Sequence, residues 1–497
     1  MPKTKTLKKY IVASRVIAVL IIIGAIAILI INMEKTECQL GELPERFIHN
    51  HQVSDFDPEV FERRREKILA SIDADIIILS AATRPDFRYV TGFAESRGIA
   101  VITPGESKEF TLFVTPALIY TVMWTGKVYG TEGAMERFGA DAAYGLSDFE
   151  NKVAEMLRGK KNIYLHKQDR HIYGLVESVL SETGQKAEIF NIAPILHEHR
   201  VFKDEWEVAQ LKQAVDVTLK AHHYVAETLR PGMTEYDIQA GIEYIFRRNG
   251  LGTALTPIVA SGPNSCLLHH RPTGRVLQEN DLVLVDIGAA SMGGYSADVT
   301  RTYPVSGRFS PKQREIYELV HKASTEALKL MKPGKYMLDC HHKAMGVMVA
   351  GLHEMGLLPD TSSWWQKRFY MQHRVNHYIG LLTHDVGNYG YDNSVRDNYI
   401  LNTELTGRKL EPGMVMTLEP GLYFMEGLLD GIHELFGHLA TKEELDAFVE
   451  EVRPVYEKFE GIGVRLEDCI LITDKGHVNL SGSLPKDIRS VERLVKR

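Results

Sequence analysis

The segment of residues 281–304 constrains the fold most strongly, and it reads DLVLVDIGAASMGGYSADVTRTYP. An apolar run leads into Asp286, a glycine-rich reversal follows, and a second β-like run carries Asp298. Alternating and β-branched residues on both sides of a glycine-containing turn predict a β-hairpin. Two carboxylates beside an apolar wall need a compensating partner, because burial otherwise costs desolvation or raises their pKa. The hairpin alone leaves two interpretations open: a shared cation site, or two ordinary acidic residues near a solvated turn.

Length and composition are those of a globular protein with room for two domains. The chain has 497 residues, of which 44% are apolar and 25% are charged. Its four cysteines stand singly, without a C-x-x-C pair, which argues against a disulfide framework or a thiolate zinc site. The net charge is −7, although the first fifteen residues hold five basic side chains and no acidic one. The rest of the chain is therefore acidic, which argues against nonspecific nucleic-acid binding.

An apolar segment at residues 11–32 follows a basic tail at residues 1–10. Residues 16–31 carry no charge, and the segment is long enough to span the ~30 Å bilayer core. No small-residue cleavage site follows it, so the sequence predicts a single transmembrane signal anchor; a buried globular helix is the alternative. The basic tail predicts a cytoplasmic N-terminus and a body on the outer side, periplasmic or extracellular. Residues 33–57 are predicted to form a polar tether between this segment and the body of the protein.

Residues 58–197 alternate between helix-like and strand-like patterns, which predicts a mixed α/β domain. The strand-like runs are residues 76–79, 98–103, 110–114, 162–166 and 188–195, with helix-like runs at 61–69, 148–158 and 172–180. The sequence of this domain shows no phosphate-binding glycine loop, nucleophile elbow or ligand cluster. We therefore interpret it as a scaffold or as a wall that gates the substrate site.

Residues 198–497 predict a second, larger domain with paired helices around the hairpin. Helices are expected near residues 204–229, 233–249 and 338–355. Thr234 and Asp237 have the spacing of a capping box, and the sequence Ser310-Pro-Lys-Gln313 has the same spacing with proline at the first helical position. These signals place helix starts on both sides of the hairpin.

Four further clusters place ionisable groups among apolar or glycine residues: His269 with His270, and residues 373–387, 417–423 and 461–468. Taken singly, each has an ordinary explanation, such as a hydrogen-bonded core histidine or a solvated strand end. The pair His373 and His377 lacks the internal glutamate of a zinc-protease helix. Taken together, the chain offers four carboxylates and one imidazole at strand-like positions: Asp286, Asp298, His377, Glu419 and Glu467. An oxygen-rich set of this kind suits two divalent cations better than one tetrahedral zinc.

The motifs VDIG, ADVTRTYP, HDVG, TLEPGLY and GIGVRLED together resemble those of the pita-bread metallopeptidases, in the branch of Xaa-Pro aminopeptidases (aminopeptidase P) and prolidases. The resemblance covers about residues 200–480. The segment before it resembles the creatinase-like N-terminal domain of that branch. The resemblance implies an α/β (α+β) fold in which a creatinase-like N-terminal domain at residues 58–197 precedes a pita-bread catalytic domain at residues 198–497, behind the one transmembrane helix.

The resemblance also implies how the five ligands are shared. Asp286 would bind one metal, His377 and Glu419 the other, while Asp298 and Glu467 would bridge both. A hydroxide shared by the metals would attack the carbonyl before proline, and Glu419 would shuttle the proton. The implied cofactors are two divalent cations, with Mn²⁺ expected first and Co²⁺, Fe²⁺ or Zn²⁺ fitting similar ligands.

Further residues match positions near the family's substrate. His269 and His384 match substrate-facing histidines, which would stabilise the oxyanion or hold the proline side of the substrate. Arg465 lies two residues before Glu467 on a strand, and we expect it to pair with a carboxylate. His373 is given a supporting role.

The function implied is release of the N-terminal residue from Xaa-Pro peptides. Two alternatives stay open: an Xaa-Pro dipeptidase (prolidase), and a catalytically silent, membrane-tethered peptide-binding protein on the same fold. The presence of all five expected ligands disfavours the silent protein. The expected partners are peptides with proline after their first residue. The membrane is a second expected partner, through the N-terminal helix, and nucleic acid is not expected. A homo-oligomer is compatible with the family.

Three departures from the family pattern concern the hairpin, the pocket and one insertion. The interval from Asp286 to Asp298 is one residue longer than usual, so we expect a bulge near residues 292–294. Arg374 and Asn376 stand where the family generally has small residues, and Leu382 stands where it often has aspartate. These changes crowd or recharge the substrate pocket and concern substrate preference more than metal binding. Residues 424–459 form an insertion that is more like those of prolidases.

Overall fold

The computed structural model describes residues 56–391 and 405–495. The predicted basic tail at residues 1–10, the anchor at 11–32 and nearly all of the tether at 33–57 lie outside these ranges. Within them, no helix combines the length and apolarity needed to cross a bilayer.

Fifteen helices of the described ranges are numbered here in chain order: α1 Pro58–Leu69, α2 Arg84–Thr91, α3 Ile119–Thr125, α4 Gly130–Glu136, α5 Phe149–Met156, α6 Arg170–Thr183, α7 Ala193–Val201, α8 Glu205–Thr228, α9 Glu235–Arg248, α10 Pro311–Leu328, α11 Met337–Glu354, α12 Trp364–Tyr370, α13 Ile432–Phe436, α14 Lys442–Tyr456 and α15 Ile488–Val495. The two capping boxes predicted at Thr234 and Ser310 are present at the starts of α9 and α10, which confirms those helix starts.

The strands of the described ranges are β1 Ile76–Ser80, β2 Gly98–Ile102, β3 Phe110–Val114, β4 Ala142–Gly145, β5 Asn162–Leu165, β6 Glu188–Asn191, β7 Gly252–Thr253, β8 Ile258–Ser261, β9 Leu282–Ile287, β10 Ala289–Ala290, β11 Val299–Pro304, β12 Val415–Leu418, β13 Gly421–Phe424, β14 Ile462–Arg465, β15 Asp468–Thr473 and β16 Gly476–Asn479. The first six form one mixed sheet in the order β4-β3-β2-β1-β5-β6. The larger sheets of the second half are antiparallel, with the orders β11-β9-β8 and β12-β15-β16.

The central strand β1 is buried on both faces, because helices cover the N-terminal sheet on each side. Ile76 and Ile78 contribute to the core under α5 and α6, while Ile77 and Leu79 point into the opposite core. That opposite core also contains residues from α8 and from the hairpin, such as Val215 from α8. The two halves of the chain therefore share a hydrophobic core.

The predicted hairpin is present, and its register is constant from end to end. Thr300 lies opposite Asp286, and the pairing continues to a bridge between Ala290 and Ser296. The extra residue falls in a three-residue turn at 292–294. The N–H of Gly294 donates to the carbonyl oxygen of Ser291 and closes a β-turn, and Gly294 itself has φ +85°. A residue with positive φ after a type I turn is the usual bulge of a three-residue hairpin loop, so the expected bulge is confirmed.

Two boundaries differ from the sequence-based expectation. The run at residues 188–195 was expected to be extended throughout, but β6 ends at Asn191 and α7 begins at Ala193 with Pro194 in its first turn. Proline fits the first turn of a helix because its missing N–H has no helical partner there. The expected domain boundary between residues 197 and 198 therefore falls inside α7, and it does not separate two elements.

Candidate active site

The hairpin brings Asp286 and Asp298 to one end of its two strands. Asp286 is the fifth residue of β9, and Asp298 immediately precedes β11. The close approach of the strands depends on Gly288, because a Cβ there would lie 1.8 Å from the carbonyl oxygen of Ala297. Both carboxylates are buried, at 7% and 4% exposure.

His377 reaches this pair from a segment that runs beside β12 without being a regular strand. Its Nδ1 lies 3.0 Å from the carbonyl oxygen of Tyr378, which can only accept, so Nδ1 carries the proton. The bare Nε2 therefore faces the carboxylates. Its distances are 3.5 Å to Asp298 Oδ2, 3.7 Å to Glu419 Oε1 and 3.9 Å to Glu467 Oε1. An outer hydrogen bond that fixes the tautomer is the usual arrangement for a metal-binding histidine.

The five expected ligands converge, and three of them are shared between groups. Ligand atoms lie within 4.8 Å of one another in three sets: Asp286, Asp298 and Glu467; His377, Glu419 and Glu467; Asp298, His377 and His384. Asp298, Glu467 and His377 each belong to two sets, and the first two are carboxylates, which can bridge two cations. This is the arrangement that two neighbouring cations with bridging carboxylates require.

The carboxylates of the cluster are buried close together, and positive charge is needed to stabilise their ionised forms. Burial raises the pKa of Asp298 and of Glu467 well above the usual range, and the neighbouring carboxylates raise both further. Burial also raises the pKa of Glu419, to about 7, against the opposing effect of His377. One buried oxygen on each hairpin carboxylate, Asp286 Oδ1 and Asp298 Oδ1, has no hydrogen-bond partner among the described residues. Divalent cations would satisfy both the charge and these oxygens, so the donor set fits the two metals implied by the sequence.

Arg465 pairs with a carboxylate as expected. Its Nη2 donates to Asp286 Oδ2 at 2.6 Å, and its Nη1 donates to the Tyr423 hydroxyl at 2.9 Å. His373 lies on the other side of this hydroxyl, with Nε2 at 2.9 Å from Tyr423 Oη and Nδ1 at 3.6 Å from Glu419 Oε2. These contacts fix the orientation of Asp286 and connect it, through Arg465, Tyr423 and His373, to Glu419.

His269 and His384 line the same cleft, and both are exposed. The ring centroid of His384 lies 4.1 Å from that of His377. Although part of the His384 side chain is open to solvent, desolvation by the surrounding cleft and the neighbouring His377 lower its pKa to about 4, so its imidazole is neutral near pH 7. The cleft encloses about 2180 Å³ including its mouth, and the candidate cluster lies on its wall.

The loop that carries His269 is anchored by Glu235, a residue that sequence reasoning missed. Its Oε1 accepts from Ser261 and Asn264, and its Oε2 accepts from Thr273 and from His270 Nε2 at 2.9 Å. Burial alone would raise the pKa of Glu235, but these hydrogen bonds lower it to about 2. Glu235 therefore stays ionised and holds both ends of the loop.

We expect Glu235→Gln to destabilise the protein by about 2 kcal/mol at pH 7, because several hydrogen bonds to a charged group are weakened. The pKa of the carboxyl is depressed in the folded state, so its contribution is present above pH 4.5 and is lost as pH falls towards 2. Urea unfolding at pH 7 and pH 3 measures both effects. Glu227→Gln, at an exposed position of α8, is the matched control. An equal stability loss for Glu235→Gln at both pH values would contradict this account.

Residues 209–474, more than half of the chain, match the model of metallopeptidase family M24. The chain belongs to metallopeptidase family M24. Its N-terminal half agrees with this, since residues 61–164 match the model of the aminopeptidase P N-terminal domain.

The similarity of this M24 protein to its relatives extends over most of its length. The Xaa-Pro aminopeptidase of Escherichia coli (strain K12) is 31% identical over 475 residues, covering 89% of this chain and 99% of that protein. The human Xaa-Pro dipeptidase is 30% identical over 423 residues, with 82% of each chain covered. The solved structure of Pseudomonas aeruginosa aminopeptidase PepP superposes with a TM-score of 0.76 at 30% identity, covering 88% of this chain and 98% of that one. The expected α/β pita-bread fold and the metallopeptidase class, similar to the Xaa-Pro aminopeptidases, are confirmed.

Proposed function

We propose that this M24 enzyme holds two divalent cations and releases the N-terminal residue from peptides whose second residue is proline. The observation that carries the proposal is the convergence of five candidate ligands in one cleft, with Asp298 and Glu467 shared between ligand sets. The similarity to the E. coli Xaa-Pro aminopeptidase supports the choice of peptide. Manganese is proposed as the working cation because the ligand set is rich in oxygen.

In this proposal Asp286 serves one cation, and His377 with Glu419 serves the other. Asp298 and Glu467 would be shared by the two cations. When bound, the cations supply Lewis acidity that polarises a peptide carbonyl and lowers the pKa of water. The chain's own residues then orient the substrate and move the proton.

Glu419 is the proposed proton carrier, since its carboxyl lies beside both His377 and His373. It would accept a proton from the attacking water and deliver it to the proline nitrogen as the peptide bond breaks. The neutral His384 and the nearby His269 would donate hydrogen bonds to the carbonyl oxygen as it gains negative charge. Arg465 would hold Asp286 in its ligating orientation.

The test of the proposal is hydrolysis by the purified protein supplied with Mn²⁺. We expect release of the first residue from an Ala-Pro-Ala tripeptide and no release from the matched Ala-Ala-Ala tripeptide. Failure to cleave any proline-containing peptide would contradict the proposal. Cleavage of an Ala-Pro dipeptide alone would support the second candidate, an Xaa-Pro dipeptidase, which the similarity to the human Xaa-Pro dipeptidase favours. The catalytically silent alternative predicts binding of these peptides without hydrolysis.

Cation binding is expected to release protons at neutral pH. Without compensating cations, Asp298 and Glu467 have pKa values well above the usual range and Glu419 has a pKa of about 7, so these groups hold protons that cations must displace. The affinity for Mn²⁺ should therefore rise as pH increases through 7. Calorimetry at pH 6.5 in two buffers with different ionisation enthalpies measures the released protons. An apparent binding enthalpy that does not depend on the buffer would contradict the expectation.

The membrane anchor at residues 11–32 is proposed from the sequence alone, with the catalytic body on the outer side. Its support is the uncharged run at 16–31 behind the basic tail. The full chain should sediment with membranes and leave them only with detergent, whereas residues 56–497 should stay in the supernatant. A full chain that is recovered without detergent would contradict the anchor.

A further inference from the structure

The described part of the active-site cleft is lined by three arginines besides Arg465. They are Arg271, Arg368 and Arg374. Among the described residues of the lining, the acidic side chains are the four of the candidate metal cluster. Two divalent cations would neutralise those four carboxylates, which leaves the described wall with a surplus of positive charge. This surplus contrasts with the net charge of −7 of the whole chain.

Of these three arginines, Arg374 is the closest in sequence to the cluster, three residues before His377, and the structure shows how it is held. Its guanidinium carbon lies 4.7 Å from the centroid of the Tyr389 ring, and its Nη1 donates to the Tyr391 hydroxyl. The neighbouring residue His373 contacts Glu419. The charge of Arg374 opposes the rise in the pKa of Glu419 and makes a small contribution to the lowered pKa of His384. The guanidinium therefore lies within electrostatic reach of the site of proton transfer.

The substrate has only one end that a guanidinium can attract. The N-terminal end of a peptide carries an ammonium group, which an arginine repels. A negative charge on such a substrate comes from its C-terminal carboxylate or from an acidic side chain. Guanidinium binds carboxylate with a planar, frequently bidentate pair of hydrogen bonds, which a lysine does not reproduce.

We infer that Arg374 binds a substrate carboxylate on the C-terminal side of the cleaved bond and makes this enzyme selective for short or acidic peptides. The inference rests on the proposed function, and it adds a selectivity that the metal cluster does not supply. Arg368 is assigned a structural part, since its Nη1 donates to the backbone carbonyl of Met371 at 3.1 Å.

The carboxylate could be the C-terminus of the peptide or an acidic side chain, and two pairs of substrates distinguish these sources. The first pair is Ala-Pro-Ala with a free C-terminus and the same tripeptide as its C-terminal amide. The second pair is Ala-Pro-Glu amide and Ala-Pro-Gln amide. Each pair is measured with the Mn²⁺-loaded wild type, with Arg374→Met and with Arg374→Lys. Arg453→Met, at a half-exposed position of α14 paired with Asp430, changes the net charge equally and is the matched control.

For at least one pair, we expect the wild type to prefer the negatively charged peptide by at least about tenfold in kcat/KM, mainly through KM. Arg374→Met should bring that ratio close to one, and a change in kcat that is common to both peptides of a pair cancels in the ratio. Arg374→Lys should recover part of the preference, and Arg453→Met should match the wild type. A preference that survives in Arg374→Met, or the absence of any preference in the wild type, would overturn the inference.

A binding measurement separates this inference from the proposed activity. Calorimetry of the Mn²⁺-loaded protein with Pro-Ala and with Pro-Ala amide needs no turnover. Tighter binding of the free carboxylate to the wild type, but not to Arg374→Met, would support the inference even if no peptide were hydrolysed. Equal binding of the two ligands by the wild type would overturn it while leaving the peptidase proposal intact.

Discussion

Replacing Asp298 with alanine should abolish most of the peptidase activity and leave the protein folded. Asp298 belongs to two of the three ligand sets, so its loss removes a donor from both proposed cation positions. Loss of an outer partner of a metal site already costs about 10- to 100-fold, so loss of a shared ligand should lower kcat/KM by more than about 100-fold. Stability without metal should not fall, because the pKa of this buried carboxyl is raised well above the usual range and its ionisation opposes folding. Initial rates on Ala-Pro-Ala with saturating Mn²⁺ provide the measurement.

The control for this variant is Asp474→Asn, which changes an exposed carboxylate in the turn after β15. It should keep wild-type rates and metal content. Asp298→Ala with activity within a few-fold of the wild type would show that this carboxylate is not a shared ligand.

Replacing Arg301 with methionine should produce the largest loss of stability, about 3–5 kcal/mol, because it removes one of the two cations paired with the buried Asp468 and leaves buried carbonyl oxygens without their donor. Arg301 is completely buried in β11. It donates to Asp468 Oδ1 at 2.8 Å and to the carbonyl oxygens of Glu467 at 2.7 Å and Leu484 at 3.0 Å. Burial alone would raise the pKa of Asp468, but Arg301 and Lys486 hold it well below its usual range. Urea unfolding at pH 7 measures the loss.

The same substitution should also weaken cation binding, since Arg301 holds the backbone of Glu467, a proposed ligand. The side chain of Glu467 is fixed from the same strand, where the Thr300 hydroxyl donates to its Oε2 at 2.8 Å. Arg314→Met is the matched control, because Arg314 is half-exposed and pairs with Glu492 on the surface. It should cost less than about 1 kcal/mol. Equal effects of the two substitutions would contradict the assigned role of Arg301.

The hairpin and its two carboxylates were predictable because their signals are local. Alternation, glycines and turn residues specify which way Asp286 and Asp298 point, and the constant register leaves the extra residue in the turn. The helix starts at Thr234 and Ser310 were predictable for the same reason, since a capping box is complete within four residues. The pairing of Arg465 with a carboxylate was expected from its place near the predicted site, but its partner is the distant Asp286, and the strand ends at Arg465, before Glu467.

Contacts between distant segments were not predictable in the same way. Glu235 satisfies donors that lie up to 38 residues away in the chain, and no local pattern distinguishes it from an ordinary first-turn glutamate. The helix α7 was missed at its start because an apolar run before proline fits a strand as well as a first helical turn. Arg301 did leave a signal: a charged residue within a run of β-branched residues needs a buried partner, but the sequence does not say which one.

The central claim is that five side chains of one cleft hold two cations, and a metal count tests it most directly. The purified protein is loaded with Mn²⁺, freed of loose metal by gel filtration, and its metal is measured per chain by mass spectrometry. We predict two Mn²⁺ per chain for the wild type, and at most one for Asp298→Ala. A wild type that retains no metal, or the same metal content in the wild type and Asp298→Ala, would contradict the claim.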